Sequence, residues 1–297
     1  MYPMQNVNTQ RHKVENLAVI QVSGEDCLTF LQGQLTNDID QLDECWQFSG
    51  YCNPKGRLLA ILRLWKHDES VYAVLDTSIL ENVVKRLQMY IMRSKVVVEV
   101  LHNAQCFSSV KADDEASDFS FVVEQSIHKL NFGKHQLGVD LGAELSSPFT
   151  QNSVDDGVWN TTNILSGIPN ITRETYEMFV PQMVNLDIIG GVSFKKGCYT
   201  GQEIVARMHY LGKLKQRMFQ CTLTDKVGVT VQNGDKVFLK SDQGETKSAG
   251  NLVSVDKVGQ SALAALRIEM VETHQTFHLE NGSELKINNT QPYDLSL

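Results

Sequence analysis

The sequence lacks the features that mark several classes of protein. It contains no run of about 18 consecutive apolar residues, so it has no candidate membrane span. Its first residues, MYPMQNVNTQRHK, are polar and contain no apolar signal-peptide core, so the expected location is the cytoplasm. The six cysteines form no C-x-x-C pair, which in a chain of 297 residues argues against a disulfide framework and a structural zinc site.

Positive charge is also scarce. The chain has 27 Lys and Arg against 35 Asp and Glu, a formal net charge of -8. A surface with this average charge does not attract nucleic acid, so no stable nucleic-acid binding is expected, although a local basic patch is compatible with these numbers. The length and the 42% content of hydrophobic residues suit an ordinary globular protein of two or three domains.

Residues 14–100 carry alternating strand and helix signals. VENLAVIQV, at 14–22, predicts a strand, and a helix with leucines at helical spacing follows it. Asn53-Pro54-Lys55-Gly56 predicts a turn between two strands, and VYAVLD predicts a third strand. An amphipathic helix at 77–92 and a strand at 95–100 complete an α+β layer.

The second half of the chain has a different pattern. KADDEASD, at 111–118, predicts an acidic loop, FVV and QLGVD predict strands, and 146–157 predicts a polar linker at a domain boundary. After residue 215, short apolar runs separated by Gly, Asn and Asp predict a small β-barrel or sandwich.

One short segment, KKGCYTGQE at 195–203, has the composition of a reactive site. Thr200 and Glu203 match a capping box, which predicts a helix from Gly201 to about Leu211 with Thr200 as its N-cap. The positive end of that helix and the two lysines would favour a thiolate at Cys198. The alternative is that Cys198 is a buried small apolar residue, since no neighbouring His or Asp offers a base.

The same residues resemble a known family. KGCYTGQE, at 196–203, is similar to the K-G-C-Y-x-G-Q-E signature of the folate-binding YgfZ family, which is related to the T-protein, the aminomethyltransferase of the glycine cleavage system. FLQGQLTNDI, YCNPKGRLLA, GIPNI and FVPQMVNLD extend the resemblance over most of residues 14–217. It implies a three-domain ring around tetrahydrofolate. The implied domains are a discontinuous folate-binding core (1–45 plus 155–213), an inserted α+β domain (46–154) and a C-terminal β-barrel (214–297).

The resemblance also implies a function. Such proteins act as folate-binding accessory proteins for the assembly or maintenance of iron–sulfur clusters, and thereby for tRNA modification. The implied partners are iron–sulfur enzymes or assembly proteins, such as radical enzymes that modify tRNA. The alternatives are a folate-dependent aminomethyl transferase and an interaction module in which Cys198 is structural. The transferase is disfavoured, because Leu59 and Ala60, and Leu165, stand where the T-protein has its acidic residues.

Site residues follow from the same resemblance. The implied reacting group is Cys198, with Lys196, Glu203 and Arg207 beside it. Those implied for folate are Trp159, Leu17, Lys55, Arg57, Gln182, Tyr199 and Gln202. Several have a simpler interpretation: Trp159 as a core aromatic, Lys55 and Arg57 as solvated cations, and Arg207 as the helical ion-pair partner of Glu203. Leu17 stands where the family has a second tryptophan, so that stacking contact is lost.

Overall fold

The structure is a computed structural model. It describes residues 11–42, 45–110, 119–133, 135–142, 156–224, 230–240, 245–256 and 260–295. The predicted acidic loop at 111–118 and all but the end of the predicted linker at 146–157 lie outside the described residues.

Ten strands in the first half of the chain form two antiparallel sheets. In chain order they are β1 (Arg11–Val14), β2 (Leu17–Ser23), β3 (Gln47–Cys52), β4 (Leu58–His67), β5 (Ser70–Asp76), β6 (Val97–Val100), β7 (Gln105–Val110), β8 (Phe121–Glu124), β9 (Ile127–Phe132) and β10 (His135–Asp140). One sheet has the order β3-β4-β5-β2-β6, and the other has the order β1-β7-β10-β9-β8. The strands predicted in this half are therefore confirmed.

The hairpin of β3 and β4 forms one edge of the first sheet. Its strands pair around the predicted turn at 53–56, where Gly56 has a φ of +68° that favours glycine. The first eight residues of β4 are buried, so this strand has the core on both of its faces. The indole of Trp65 on β4 donates a hydrogen bond to Nδ1 of His128 on β9, which joins the two sheets.

The helices are α1 (Cys27–Gln34), α2 (Leu80–Ile91), α3 (Asp156–Leu165), α4 (Gln202–Tyr210) and α5 (Ile268–Val271). The predicted amphipathic helix at 77–92 is confirmed as a 3-10 turn, Thr77–Ile79, followed by α2, which buries Val83 and Leu87. Between α3 and α4 the chain runs through loops and 3-10 turns, Arg173–Thr175 and Pro181–Val184. This segment is attached to Leu58 of β4 by two main-chain hydrogen bonds.

The C-terminal part of the chain is a closed β-barrel. The prediction allowed a barrel or a sandwich, and the barrel is confirmed. Its strands are β11 (Gln216–Thr224), β12 (Lys236–Lys240), β13 (Thr246–Val255), β14 (Ser261–Arg267), β15 (Thr276–Leu279) and β16 (Glu284–Ile287), in the order β11-β14-β13-β12-β15-β16. Closure leaves no sheet edge open to another chain.

Two polar contacts attach the barrel to the segment before α4. The guanidinium of Arg217 donates to both carboxylate oxygens of Asp187, at 2.6 and 3.0 Å, and both side chains are mostly buried. The side chain of Asn185 exchanges two hydrogen bonds with the main chain of Met218. The barrel therefore has a fixed position against this segment.

The predicted α+β class is confirmed. The predicted domain boundaries stay a prediction, although pairing of β2 with β5 joins the first two predicted domains in one sheet. Within the described part of the chain, no helix has the length and apolar character needed to cross a membrane.

Candidate functional site

The cysteine segment forms an irregular loop that leads into α4. Cys198 is exposed, whereas Cys27, Cys52, Cys106 and Cys221 are buried, and Cys45 is only partly exposed. Burial raises the pKa of each of the four buried thiols, which suppresses their thiolate forms. All six cysteines are free, so Cys198 is the thiol that a partner can reach most readily.

Lys196 holds this loop in place. Its ammonium donates to three main-chain carbonyls at and just beyond the end of α1, those of Gln32, Leu35 and Asn37, at 2.7–2.8 Å. The side chain is only 9% exposed, and burial lowers its pKa to about 8, although Asp38 and Asp40 act in the opposite direction. Because its three donors are all engaged, Lys196 positions the loop and has no donor left for a ligand.

Tyr199 anchors the loop from the other side of Cys198. Its ring is buried, and the ammonium of Lys196 lies 5.3 Å from the ring centroid, a cation–π contact. Burial also raises the pKa of the Tyr199 hydroxyl. Two buried side chains therefore flank the exposed Gly197-Cys198 pair.

Two glycines explain how closely the hairpin tip approaches α4. Gly201 has a φ of +86°, and a Cβ there would lie 2.4 Å from the carbonyl oxygen of Asn53. A Cβ on Gly56 would lie 3.0 Å from Cβ of Ile204 on α4. The predicted N-cap was wrong: the N-cap is Gly201, no side chain caps the helix, and α4 starts at Gln202. Thr200 therefore does not form the expected capping box.

Gln182 and Gln202 also hold the main chain around Cys198. The amide of buried Gln182 donates to the carbonyl of Val205 at 2.7 Å, which ties the 3-10 turn to α4. Gln202 donates to the carbonyl of Gly197 at 3.3 Å. Both contacts stabilise the backbone on either side of Cys198.

The other two charged residues expected beside Cys198 are on the surface. Glu203 and Arg207 are both exposed on α4, and the predicted ion pair between them is absent from the ion pairs of the described residues. Lys55 is exposed at the hairpin tip, whereas Arg57 donates to the carbonyl of Met178. The structure thus brings Lys55, Arg57, Gln182, Lys196, Cys198, Tyr199, Gln202, Glu203 and Arg207 to one region, around α4 and the hairpin tip.

Trp159 lies elsewhere, in α3. The guanidinium of Arg63 lies 5.1 Å from its ring centroid and donates to Oδ1 of Asn163 at 3.1 Å. Burial lowers the pKa of this arginine to about 10. Arg63 therefore covers a face of Trp159 that was expected to stack on folate.

The pocket beside Trp159 offers no carboxylate to a pterin ring. It spans about 340 Å³ including its open mouth, and none of the residues that line it is acidic. A carboxylate would form the stronger, charge-assisted hydrogen bonds with the N–H donors of a pterin. Leu17, at the start of β2, is nearly buried and lines a different cleft. Trp159 and Leu17, both predicted to hold folate, therefore line different pockets.

Sequence reasoning did not identify Arg63 or the stacking of His209 on Phe194. The second strand of the predicted hairpin contains Arg63 among apolar residues, and this arginine was the available signal, because a buried charge needs partners. The His209 ring stacks on Phe194 with centroids 3.6 Å apart, a contact between residues fifteen positions apart that helical spacing does not predict.

Comparisons with known proteins agree with this architecture. No family model matches the chain. The tRNA-modifying protein YgfZ of Hamiltonella defensa is 30% identical, over 69% of this chain and 67% of that protein. YgfZ of Blochmanniella pennsylvanica is 27% identical, over 95% and 91% of the two chains.

Among solved structures, aminomethyltransferase T of the glycine cleavage system from Bartonella henselae matches with a TM-score of 0.70. The match has 12% sequence identity and covers 96% of this chain and 86% of that one. The expected T-protein-like fold is therefore confirmed. A likeness at this level of identity carries the fold alone.

Proposed function

Because the chain belongs to the YgfZ family of tRNA-modifying proteins, we propose that it supports tRNA modification as a cytoplasmic accessory protein of iron–sulfur enzymes. Its partners in this proposal are the enzymes that thiolate tRNA, or the proteins that assemble their clusters. Cys198 is the group through which it acts.

The exposure of Cys198 is the observation that carries the proposal. Lys196 and Tyr199 fix the loop on both sides, while the thiol itself is open to a macromolecular partner. A thiol held in this way keeps its position without losing access, which suits exchange with a sulfur or metal centre on another protein.

The positions that are acidic in the T-protein give little support to aminomethyl transfer in this chain. Leu59 and Ala60 are fully buried in β4, and Leu165 is an exposed apolar side chain on α3. None of the three provides the carboxylate that orients an amine and holds developing charge in that reaction. The accessory role is therefore preferred over the transferase.

We assign no step to tetrahydrofolate. The family resemblance implies it, but the pocket beside Trp159 has no acidic lining residue and contains Arg63 against the indole. Folate binding remains a proposal. Equilibrium titration of the wild-type protein and of Trp159→Phe with tetrahydrofolate tests it.

Complementation tests the proposed function. A bacterial strain that lacks its own family member is supplied with wild type, Cys198→Ser or Cys45→Ser, and thiolated nucleosides in its tRNA are measured by mass spectrometry. We expect wild type and Cys45→Ser, which removes the other partly accessible thiol, to restore the nucleosides. We expect Cys198→Ser to leave the thiolated nucleosides at the level of the strain that receives no gene.

Two outcomes would count against this proposal. Full restoration by Cys198→Ser would favour an interaction module with a structural cysteine. Formation of methylene-tetrahydrofolate from a lipoyl-linked aminomethyl substrate and tetrahydrofolate, by the purified protein, would favour the transferase.

A further inference from the structure

Exposed cations lie on the segments that contain and adjoin Cys198, in a protein whose net charge is -8. The basic-aromatic surface is defined here as five exposed cations of the hairpin tip, the cysteine segment, α4 and the residues after it, together with three exposed side chains at the end of α4. The cations are Lys55, Lys195, Arg207, Lys213 and Lys215, and the other three are His209, Tyr210 and Leu211. None of its five cations forms an ion pair with a described acidic side chain. This surface is therefore locally positive, although the whole molecule is negative.

Aromatic rings stand among these cations. The ring of His209 is exposed and stacks on Phe194 with an angle of 10° between the planes. Tyr210 is 63% exposed, packs edge-on against His209 and donates to the carbonyl of Phe194 at 3.3 Å. Since Phe194 is four residues before Cys198, these contacts bring the end of α4 back to the cysteine segment.

One exposed stripe of α4 runs between these groups. Glu203, Arg207 and Tyr210 follow one another at spacings of four and three residues, so they share a face of the helix. Leu211, which is 85% exposed, continues this face beyond the helix. Glu203 is the single acidic side chain in the sequence from 194 to 215.

We propose that the basic-aromatic surface binds single-stranded RNA, with the unpaired loop of a tRNA as its ligand. The inference rests on the proposed function and deepens it by naming a direct RNA contact beside Cys198. Unpaired cations can neutralise phosphates, and exposed rings can stack on bases that are free of a duplex. Cations that contact phosphates and rings that stack on bases are the two components of a single-strand binding site, so RNA accounts for both features.

This inference departs from the expectation that was based on net charge. The sum over the chain averages the acidic surface with these five cations, whereas binding depends on the charge within about 10 Å of the phosphates. An RNA loop at this surface meets mainly positive side chains.

Fluorescence anisotropy with labelled RNA tests the proposal. The probes are a tRNA anticodon stem–loop, the same stem with its strands fully paired, and a polyglutamate peptide, each at about 0.1 M salt. We expect the full-length protein to bind the stem–loop at least about tenfold more tightly than the duplex or the peptide. Equal binding of the peptide would overturn the RNA assignment in favour of an acidic protein partner.

Matched variants locate the surface. Lys195→Gln with Lys213→Gln should weaken stem–loop binding and reduce the slope of log affinity against log salt by about 1.4, as expected for two lost phosphate contacts. Tyr210→Ala should weaken binding by about tenfold through lost stacking. Lys236→Gln with Lys240→Gln, two exposed positions on β12 of the barrel, should leave affinity and slope unchanged.

The proposal is overturned if the barrel pair weakens binding as much as the Lys195 and Lys213 pair, or if Tyr210→Ala binds like wild type. Melting curves of each variant verify that it is folded. If complementation depends on Cys198 while the stem–loop does not bind, the RNA contact is wrong and the accessory function stands. If the stem–loop binds but Cys198→Ser complements as well as wild type, the accessory function is wrong instead.

Discussion

Two neighbouring residues of the cysteine segment have opposite environments. Lys196 is buried under three carbonyls, whereas Cys198, two positions later, is exposed. From the sequence, both were candidates for the chemistry. The structure gives Lys196 a positioning role, because its donors are already engaged, and leaves Cys198 as the accessible thiol.

The adjacent lysines provide a controlled test of this difference. Lys196→Met should lower the free energy of unfolding by about 2–4 kcal/mol, because three carbonyls lose their donor. Lys195→Met, at an exposed position, should change it by less than about 0.5 kcal/mol. Urea unfolding followed by tryptophan fluorescence measures both, and equal effects would contradict the assigned role of Lys196.

At the scale of elements, the hairpin of β3 and β4 and the start of α4 form one tightly packed unit. Gly56 and Gly201 let their backbones approach, and Gln182 ties the 3-10 turn to the helix. Gly56 and Gly201 lie in distant segments of the sequence, but one close contact between the hairpin and α4 explains both glycines.

Gly201→Ala should separate these elements. A Cβ at 2.4 Å from the carbonyl oxygen of Asn53 cannot be accommodated, and the φ of +86° adds strain, so we expect a loss of about 2–4 kcal/mol of stability. Gly197→Ala is the control, since a Cβ at that position would have no other atom within 4 Å and stability should change little. A thermal melt in which the two variants have the same midpoint would contradict this packing.

The contact between the two sheets predicts a dependence on pH. Burial, assisted by the nearby His67, lowers the pKa of His128 to about 4, while its Nδ1 accepts from Trp65. The unfolded chain, with an ordinary histidine pKa of about 6.5, binds this proton more readily. His128 therefore contributes stability above about pH 6.5 that is lost as the pH falls towards 4, up to about 3 kcal/mol.

His128→Gln isolates this contribution, because glutamine can still accept from Trp65 but does not titrate. Between pH 6.5 and 4, the free energy of unfolding should fall less steeply in the variant than in wild type. Chemical denaturation at a series of pH values measures the two slopes, and parallel slopes would refute the assignment to His128.

At the scale of the whole molecule, the barrel and the rest of the chain are joined through the segment that precedes the cysteine loop. The buried pair of Arg217 and Asp187 and the contacts of Asn185 connect β11 to the segment before the cysteine loop. We therefore expect the barrel to unfold together with the rest of the protein.

Asp187→Asn should cost about 3–5 kcal/mol, because it leaves the guanidinium of Arg217 buried without its charge partner. Glu269→Gln is the control, since its ion pair with Arg267 is largely exposed and worth less than about 1 kcal/mol. Calorimetry should show one transition in each protein. A separate barrel transition in the wild type would contradict the coupling.

Much of this molecule could be predicted from local sequence. The β3 and β4 hairpin, α2 and the C-terminal barrel follow from turn residues and apolar periodicity, and KGCYTGQE indicated the family. The N-cap of α4 and the placement of Arg63 on Trp159 could not be predicted, because each depends on a contact between distant segments. For the same reason, the folate residues could be named from the resemblance but not placed together.

The central claim is that the cysteine segment fixes its own backbone while presenting the thiol of Cys198. Site-resolved alkylation of the native protein with iodoacetamide, followed by mass spectrometry, tests it most directly. We predict that Cys198 is modified first, Cys45 more slowly, and the four buried cysteines only after unfolding. Protection of Cys198 until the protein unfolds would contradict the account.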